Sequence, residues 1–102
     1  MTTYLITRHS GARQWAAQEG LAVDRQSEHL DVNTVQPGDT VIGTLPINLA
    51  AEVCHRGGRY LHLTLTLTPE LRGKELTASQ MRDCDAHLSE YQIKMISQER
   101  ST

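Results

Sequence analysis

The sequence predicts an α/β fold: a mostly parallel, Rossmann-like sheet flanked by helices, in a single small domain spanning residues 1–102. Three observations predict it. Strand-like and helix-like segments alternate along the chain, and the connections between them are short. A chain of 102 residues is also long enough for one hydrophobic core but not for two. The predicted order of elements is β-α-β-β-α-β-α.

The first half of the chain is predicted to form a strand, a helix, a weak strand, a turn and a strand. These elements lie at residues 4–7, 11–20, 28–30, 36–39 and 40–43. The helix is predicted because Ala12, Trp15 and Ala16 recur at helical spacing before a glycine, Gly20. The turn is predicted from its composition, Gln-Pro-Gly-Asp.

The next helix is predicted between a proline and a pair of glycines. Pro46 suits its first turn and Gly57-Gly58 its end. Its apolar stripe falls at positions i, i+3, i+4 and i+7. The stripe consists of Ile47, Ala50, Ala51 and Cys54.

Residues 59–67 predict a strand because leucines alternate strictly with polar residues. A strand buried on both faces would not alternate in this way, so we expect it at a sheet edge or at a wet or intersubunit surface. A loop is predicted at 69–74. A capping box at 77–80 then starts an amphipathic helix, and residues 98–102 form a frayed tail. The apolar positions of this helix are Met81, Cys84, Leu88, Tyr91 and Met95.

The composition excludes several classes of protein. The formal charge is −2 and the pI is about 6.2, which argues against a general binder of long nucleic acid but allows a compact anionic ligand. No apolar run approaches the ~18 residues of a membrane span, and no secretion signal is recognisable at the start. Cys54 and Cys84 are predicted to be buried small hydrophobes. We therefore expect a cytoplasmic protein.

The first candidate site follows the first strand. Ligands of open α/β sheets bind at the carboxyl ends of the strands, beside the N-termini of the following helices. There Arg8, His9, Ser10 and Gly11 combine a cation, a titratable imidazole, a hydroxyl and a flexible backbone. The alternative is an ordinary solvated turn in which Ser10 caps the helix.

The second candidate site follows the strand at 40–43. Gly43 lets the backbone approach a ligand, and Thr44, Leu45 and Asn48 stand at the start of the next helix. The alternative is a tight turn with Asn48 as the cap. We expect neither a metal nor a cofactor, because no three His, Cys, Asp or Glu residues share the spacing of metal ligands and no Gly-rich nucleotide motif is present.

Several segments resemble a small single-domain protein family of type III CRISPR loci. The most specific stretch is PGDTVIGTLP at 37–46, which continues as NLAAEVC at 48–54. The resemblance covers roughly residues 3–75. Its other segments are TYLITRH at 3–9, Gly11-Ala12, Trp15, HLD at 29–31, Gly57, Arg59-Tyr60 and His62-Leu63.

This resemblance implies a CARF-like Rossmann homodimer. It would bind cyclic tetra-adenylate, the second messenger of type III CRISPR immunity, and degrade it as a ring nuclease without a metal. Arg8 would then stabilise charge on the phosphate, and His9 would transfer a proton or hydrogen-bond a phosphate. Ser10, Thr44 and Asn48 would position the ring.

Two other functions stay open on the sequence. One is a binding module that sequesters the cyclic messenger without cleaving it. The other is an interaction protein without any nucleotide site. An incubation with labelled cyclic tetra-adenylate in EDTA would separate these hypotheses.

Overall fold

The computed structural model describes residues 1–100, which contain five strands and three α-helices. Their bounds are Thr3–Ile6 (β1), Ser10–Gln18 (α1), Arg25–Ser27 (β2), Thr40–Gly43 (β3), Ile47–His55 (α2), Arg59–Thr64 (β4), Ala78–Asp83 (α3) and His87–Tyr91 (β5). Two 3-10 turns, Val32–Thr34 and Pro69–Leu71, lie before β3 and before α3.

The strands form one sheet in the order β2-β1-β3-β4-β5. The first four are parallel to their neighbours, and β5 runs antiparallel to β4. The register pairs Ile6 at the end of β1 with Gly43 at the end of β3, so both strands deliver the chain to the same edge. The predicted α/β class with a mostly parallel sheet is confirmed.

Two layers of apolar side chains hold the helices on the sheet. Helices α1 and α3 cover one face, and α2 covers the other. The buried residues of the first layer are Leu5, Ala12, Trp15, Ala16, Ile42, Ala78 and Met81. Those of the second are Ile6, Val35, Val41, Ala50, Val53 and Tyr60. Burial of apolar side chains of this kind is the main favourable term in folding.

Helix α2 forms where it was predicted, but its buried stripe differs. It ends because Gly57 adopts a left-handed conformation (φ +85°) and donates its N–H to the carbonyl of Cys54. Ala50 and Val53 face the sheet. Ile47, predicted as the first residue of the stripe, is 74% exposed, because packing begins one turn later at Ala50.

The prediction of a long C-terminal helix is wrong. The capping box of Thr77 and Gln80 is present, but α3 ends at Asp83. Asp85 adopts φ +59°, and the N–H of Ala86 turns back to the carbonyl of Met81. Aspartate is one of the few non-glycine residues found in this conformation. The chain then forms β5, whose pairing satisfies the second edge of β4.

The predictions for strands β4 and β2 need smaller corrections. Strand β4 lies between β3 and β5 rather than at an edge, and Tyr60 on its polar face is buried beneath α2. Strand β2 forms at Arg25–Ser27 instead of 28–30, with three exposed side chains. Backbone hydrogen bonds to β1 alone hold this strand in the sheet. Its side chains therefore need not be apolar, and the sequence shows no apolar pattern there.

In the part of the chain that the structure describes, no helix combines the length and the apolar character that crossing a membrane requires. Cys84 is buried as predicted, whereas Cys54 is half-buried, and both are free thiols. Of the predicted tail, residues 98–100 have no regular secondary structure, and residues 101 and 102 lie outside the described residues.

Candidate functional site

A groove of about 760 Å³ lies at the carboxyl edge of the parallel strands. The turns that follow β1 and β3 form its walls, and a loop at 71–76 forms its far side. The groove brings together five of the eight predicted site residues: Arg8, His9, Gly43, Thr44 and Leu45. A smaller cleft of about 420 Å³ along β1 and β2 contains no residue of the two predicted turns.

The turn from β1 to α1 carries the charged part of the predicted site. Its backbone is fixed by the N–H of His9, which donates to Thr7 Oγ1 at 3.1 Å. His9 is the N-cap residue of α1, in an extended conformation, but its side chain does not cap the helix. Arg8 is exposed at the groove and makes no hydrogen bond or ion pair with the described residues, so its guanidinium is available to a ligand.

His9 instead contacts the loop before α3. Its Nδ1 lies 2.7 Å from Glu75 Oε1, a contact between residues 66 positions apart in the chain. A carboxylate accepts hydrogen bonds only, so a hydrogen bond between these two atoms requires the proton on Nδ1. Nε2 is then left as the nitrogen that can accept a proton from a ligand when the ring is neutral.

Ser10 and Gly11 do not line the groove. Ser10 is the first residue of α1 and is exposed, whereas Gly11 is buried. A Cβ on Gly11 would stand 1.7 Å from the carbonyl oxygen of Leu76. Gly11 therefore lets α1 approach the segment that leads into α3, which is a packing role rather than a ligand contact.

The turn from β3 to α2 supplies the uncharged part of the site. A Cβ on Gly43 would lie 2.6 Å from the carbonyl oxygen of Ile6, so glycine is needed for the close approach to β1. Thr44 is exposed at the groove, and its hydroxyl donates to the carbonyl of Leu63 at 3.4 Å. Leu45 is half-buried. Asn48, on the exposed first turn of α2, does not line the groove.

Tyr60 fixes this second turn from beneath. Its hydroxyl accepts the N–H of Leu45 at 2.9 Å, donates to the carbonyl of Gly43 at 3.2 Å and lies 2.6 Å from His62 Nδ1. Burial raises the pKa of the phenol, and the hydrogen bond from Leu45 partly opposes that rise. A buried, neutral tyrosine thus sets the backbone of Gly43, Thr44 and Leu45.

Sequence reasoning missed the groove's other wall and its floor. Lys74 and Glu75 come from the loop before α3, and Glu28 and His29 from the segment after β2. The floor is apolar and comes from the end of strand β4, the segment between β4 and α3, and α3 itself. It consists of Leu63, Leu65, Leu67, Leu71, Leu76 and Met81. The leucine alternation at 61–67 was the one available signal, since it places a continuous apolar face on one side of the strand.

The charges of the groove are local rather than uniform. Arg8 and Lys74 are its cations, and Glu28 and Glu75 are its carboxylates. Because these charges balance formally, an anion would be held by individual cations and not by a broad positive field. The arrangement suits a ligand with separate phosphate groups and flat apolar parts, since a cationic rim stands beside a leucine floor.

Among residues 1–100, no three His, Cys, Asp or Glu side chains come together as a metal site would require. The chemistry open to the groove's ionisable residues themselves is that of acids, bases and hydrogen-bond donors.

Fold and groove together define a small Rossmann-like α/β protein whose candidate site lies at the carboxyl edge of the sheet. Residues 4–94 match the family model described as "Putative CRISPR-associated protein (Cas_VVA1548)". The chain therefore belongs to this CRISPR-associated family. A search of curated proteins and a search of solved structures each found no significant match.

Proposed function

We propose that this protein is a ring nuclease that binds cyclic tetra-adenylate and linearises it without a metal. The observation that carries the proposal is that one groove contains Arg8 and His9 from the first turn and Gly43, Thr44 and Leu45 from the second. Membership of a CRISPR-associated family supports the choice of this messenger over other cyclic nucleotides.

The lining of the groove supports a nucleotide ligand. Arg8 and Lys74 lie where phosphates could be paired, and the leucine floor offers an apolar surface to adenine rings. A volume of about 760 Å³ lies within the range of about 300–1,000 Å³ typical of pockets for compact ligands. One chain would hold part of a four-nucleotide ring.

The proposed chemistry uses the ligand's own nucleophile. A ribose 2′-oxygen attacks the adjacent phosphorus, the bond from phosphorus to the 5′-oxygen breaks, and a 2′,3′-cyclic phosphate remains. His9 accepts the proton of the 2′-hydroxyl, and the departing 5′-oxygen takes a proton from water. Arg8 stabilises the negative charge that develops on the phosphorane oxygens, and the protein aligns the attacking and leaving oxygens.

A homodimer completes the proposal. A four-nucleotide ring can adopt two-fold symmetry, and a two-fold dimer presents the same groove twice. The sequence offers two surfaces for the contact: the polar face of Tyr60, His62, Thr64 and Thr66, and the helix that begins after Thr77. Tyr60 is buried within the chain and α3 packs on α1, so the remaining polar face is His62, Thr64 and Thr66.

The decisive experiment incubates the protein with labelled cyclic tetra-adenylate in EDTA. Linear products ending in a 2′,3′-cyclic phosphate are expected, since no step of the mechanism uses a metal. Cleavage that EDTA abolishes and a divalent ion restores would contradict the mechanism. Retention of the intact ring would favour the sequestering module, and failure to bind it would favour an interaction protein.

A further inference from the structure

We propose that Glu75 is a positioning residue that holds His9 in the Nδ1–H tautomer and aims Nε2 into the groove. The inference rests on the proposed function for its catalytic consequence. The contact itself is a property of the free protein and can be tested without any ligand.

The contact is built into the fold rather than left to two free side chains. Glu75 lies directly before Leu76, whose carbonyl oxygen packs against Gly11 in the first turn of α1. Thr77 begins α3 with a complete capping box, which fixes the other side of the segment. The backbones that carry His9 and Glu75 are thus held beside each other, and the Nδ1–Oε1 distance of 2.7 Å follows.

Both side chains remain accessible. His9 and Glu75 are 56% and 63% exposed, so an ion pair between them would add little to stability. The contact adds little to stability, but it fixes the tautomer of an imidazole that lines the groove. We therefore assign it a role in the chemistry of the site. Histidines that act as ligands or bases are commonly oriented by a carboxylate on the second nitrogen.

The catalytic consequence follows from the proton balance. With Nδ1–H donating to Glu75, the Nε2 lone pair accepts the 2′-hydroxyl proton as the bond between the 2′-oxygen and phosphorus forms. The imidazolium that results keeps its Nδ1–H bond to the carboxylate, and the adjacent negative charge stabilises it. After the 5′-oxygen has left and taken a proton from water, the imidazolium returns its proton to solvent.

The first test is ¹⁵N NMR of the histidine side chains in alkaline buffer, with the His9 signal assigned by its loss in His9→Ala. The Nδ1–H tautomer is expected in the wild type. Glu75→Gln should retain it, because the amide oxygen still accepts a hydrogen bond, and Glu75→Ala should shift the population toward Nε2–H. Glu70→Ala removes the same charge from the same loop without contacting His9, and should leave the spectrum unchanged.

The second test is single-turnover cleavage. Glu75→Ala should lower the rate by about 10- to 100-fold, the range seen when orienting partners of functional histidines are removed. The loss should be small in Glu75→Gln, and should disappear in a His9→Ala background, where Glu75 has nothing to orient.

Two NMR results would overturn the inference: an Nε2–H tautomer in the wild type, or a Glu75→Ala spectrum identical to the wild type. An equal rate loss for Glu75→Ala with and without His9 would also overturn it. If the tautomer responds as expected but the wild type cleaves nothing, the proposed function fails and the positioning contact stands.

Discussion

Arg8 and His9 are neighbours in sequence, but the structure holds them in different ways. His9 is fixed through its backbone N–H to Thr7 and through its ring to Glu75. Arg8 makes no side-chain hydrogen bond within the described residues, so it keeps the freedom to follow a phosphate. His9 is therefore held in place before a ligand binds, which is what an acid–base group needs. Arg8 can instead adjust to the ligand.

Arg8→Ala tests the phosphate contact directly. A hydrogen bond to a charged group contributes about 1.5–3 kcal/mol, so cleavage should fall by roughly 10- to 150-fold. If the contact strengthens as charge develops, the loss should appear in the single-turnover rate more than in the affinity. Because Arg8 is exposed, the melting temperature should stay at the wild-type value. Wild-type cleavage by folded Arg8→Ala protein would move the site toward the second turn.

Tyr60→Phe tests the support of the second turn. The change removes the acceptor of the Leu45 N–H and the donor to the Gly43 carbonyl while keeping the ring. We expect the free energy of unfolding in urea to fall by about 1–3 kcal/mol, because two backbone groups lose their partner. Tyr91→Phe is the matched control, since Tyr91 is 50% exposed. Equal stability of the two variants would mean that Tyr60 does not support the turn.

At the scale of elements, the sequence predicted correctly the segments that carry their own local signals. Helices α1 and α2 carry both an apolar stripe and a glycine stop, and β3 forms at the predicted residues 40–43. Strand β5 was missed because residues 77–95 also satisfy a helical spacing, and pairing with β4 decides between the two. Strand β2 was misplaced because its three side chains carry no pattern.

Gly11→Ala tests the junction between α1 and the segment before α3. The added methyl would meet the Leu76 carbonyl, so one of the two elements must move. Overpacking of this kind costs about 1–3 kcal/mol, measured as the free energy of unfolding. Ser10→Ala, one residue earlier and exposed, should change stability little. Because the junction also sets the Glu75 contact, Gly11→Ala should alter the His9 NMR signal, and an unshifted signal in a destabilised variant would separate the two roles.

Asp39 ties the start of the chain to the turn before β3 and makes stability depend on pH. The N–H groups of Gln36 and Thr2 donate to its carboxylate at 2.9 and 2.8 Å and lower its pKa below the ordinary 3.8. A lowered folded-state pKa means that the stabilisation is present above pH 3.8 and is lost as the pH falls through the folded-state value.

Asp39→Asn should therefore destabilise the protein at neutral pH, with a deficit that shrinks in acid below pH 3.8. The amide can accept at only one of its two positions, so one backbone N–H loses its partner. Urea unfolding at several pH values measures the deficit, with Asp83→Asn at an exposed position of α3 as the control. A deficit that stays constant with pH would show that the carboxylate's charge is not its cause.

At the scale of the whole molecule, the parallel sheet assembles most of the candidate site. Strand ends far apart in sequence meet at one edge, which is why the turns after β1 and β3 could be paired from sequence alone. The loop carrying Lys74 and Glu75 could not be placed in this way, because its position depends on how α3 packs against α1. The close packing of Gly11 against Leu76 could not be predicted for the same reason, since the two residues are distant in sequence.

The proposed homodimer is a prediction about the whole molecule. One chain of 11.4 kDa offers one open groove, and a four-nucleotide ring needs contacts on both of its symmetric halves. Light scattering should give twice the mass of the chain, and titration calorimetry should give one ring bound for every two chains.

Thr64→Arg and Thr66→Arg together place charge on the polar face of β4, and should weaken both association and ring binding if that face joins the protomers. Gln14→Arg and Ala17→Arg add the same charge at exposed positions of α1 and should do neither. A monomer with and without the ring would refute the assembly, and a one-to-one complex would assign the whole ligand to a single groove.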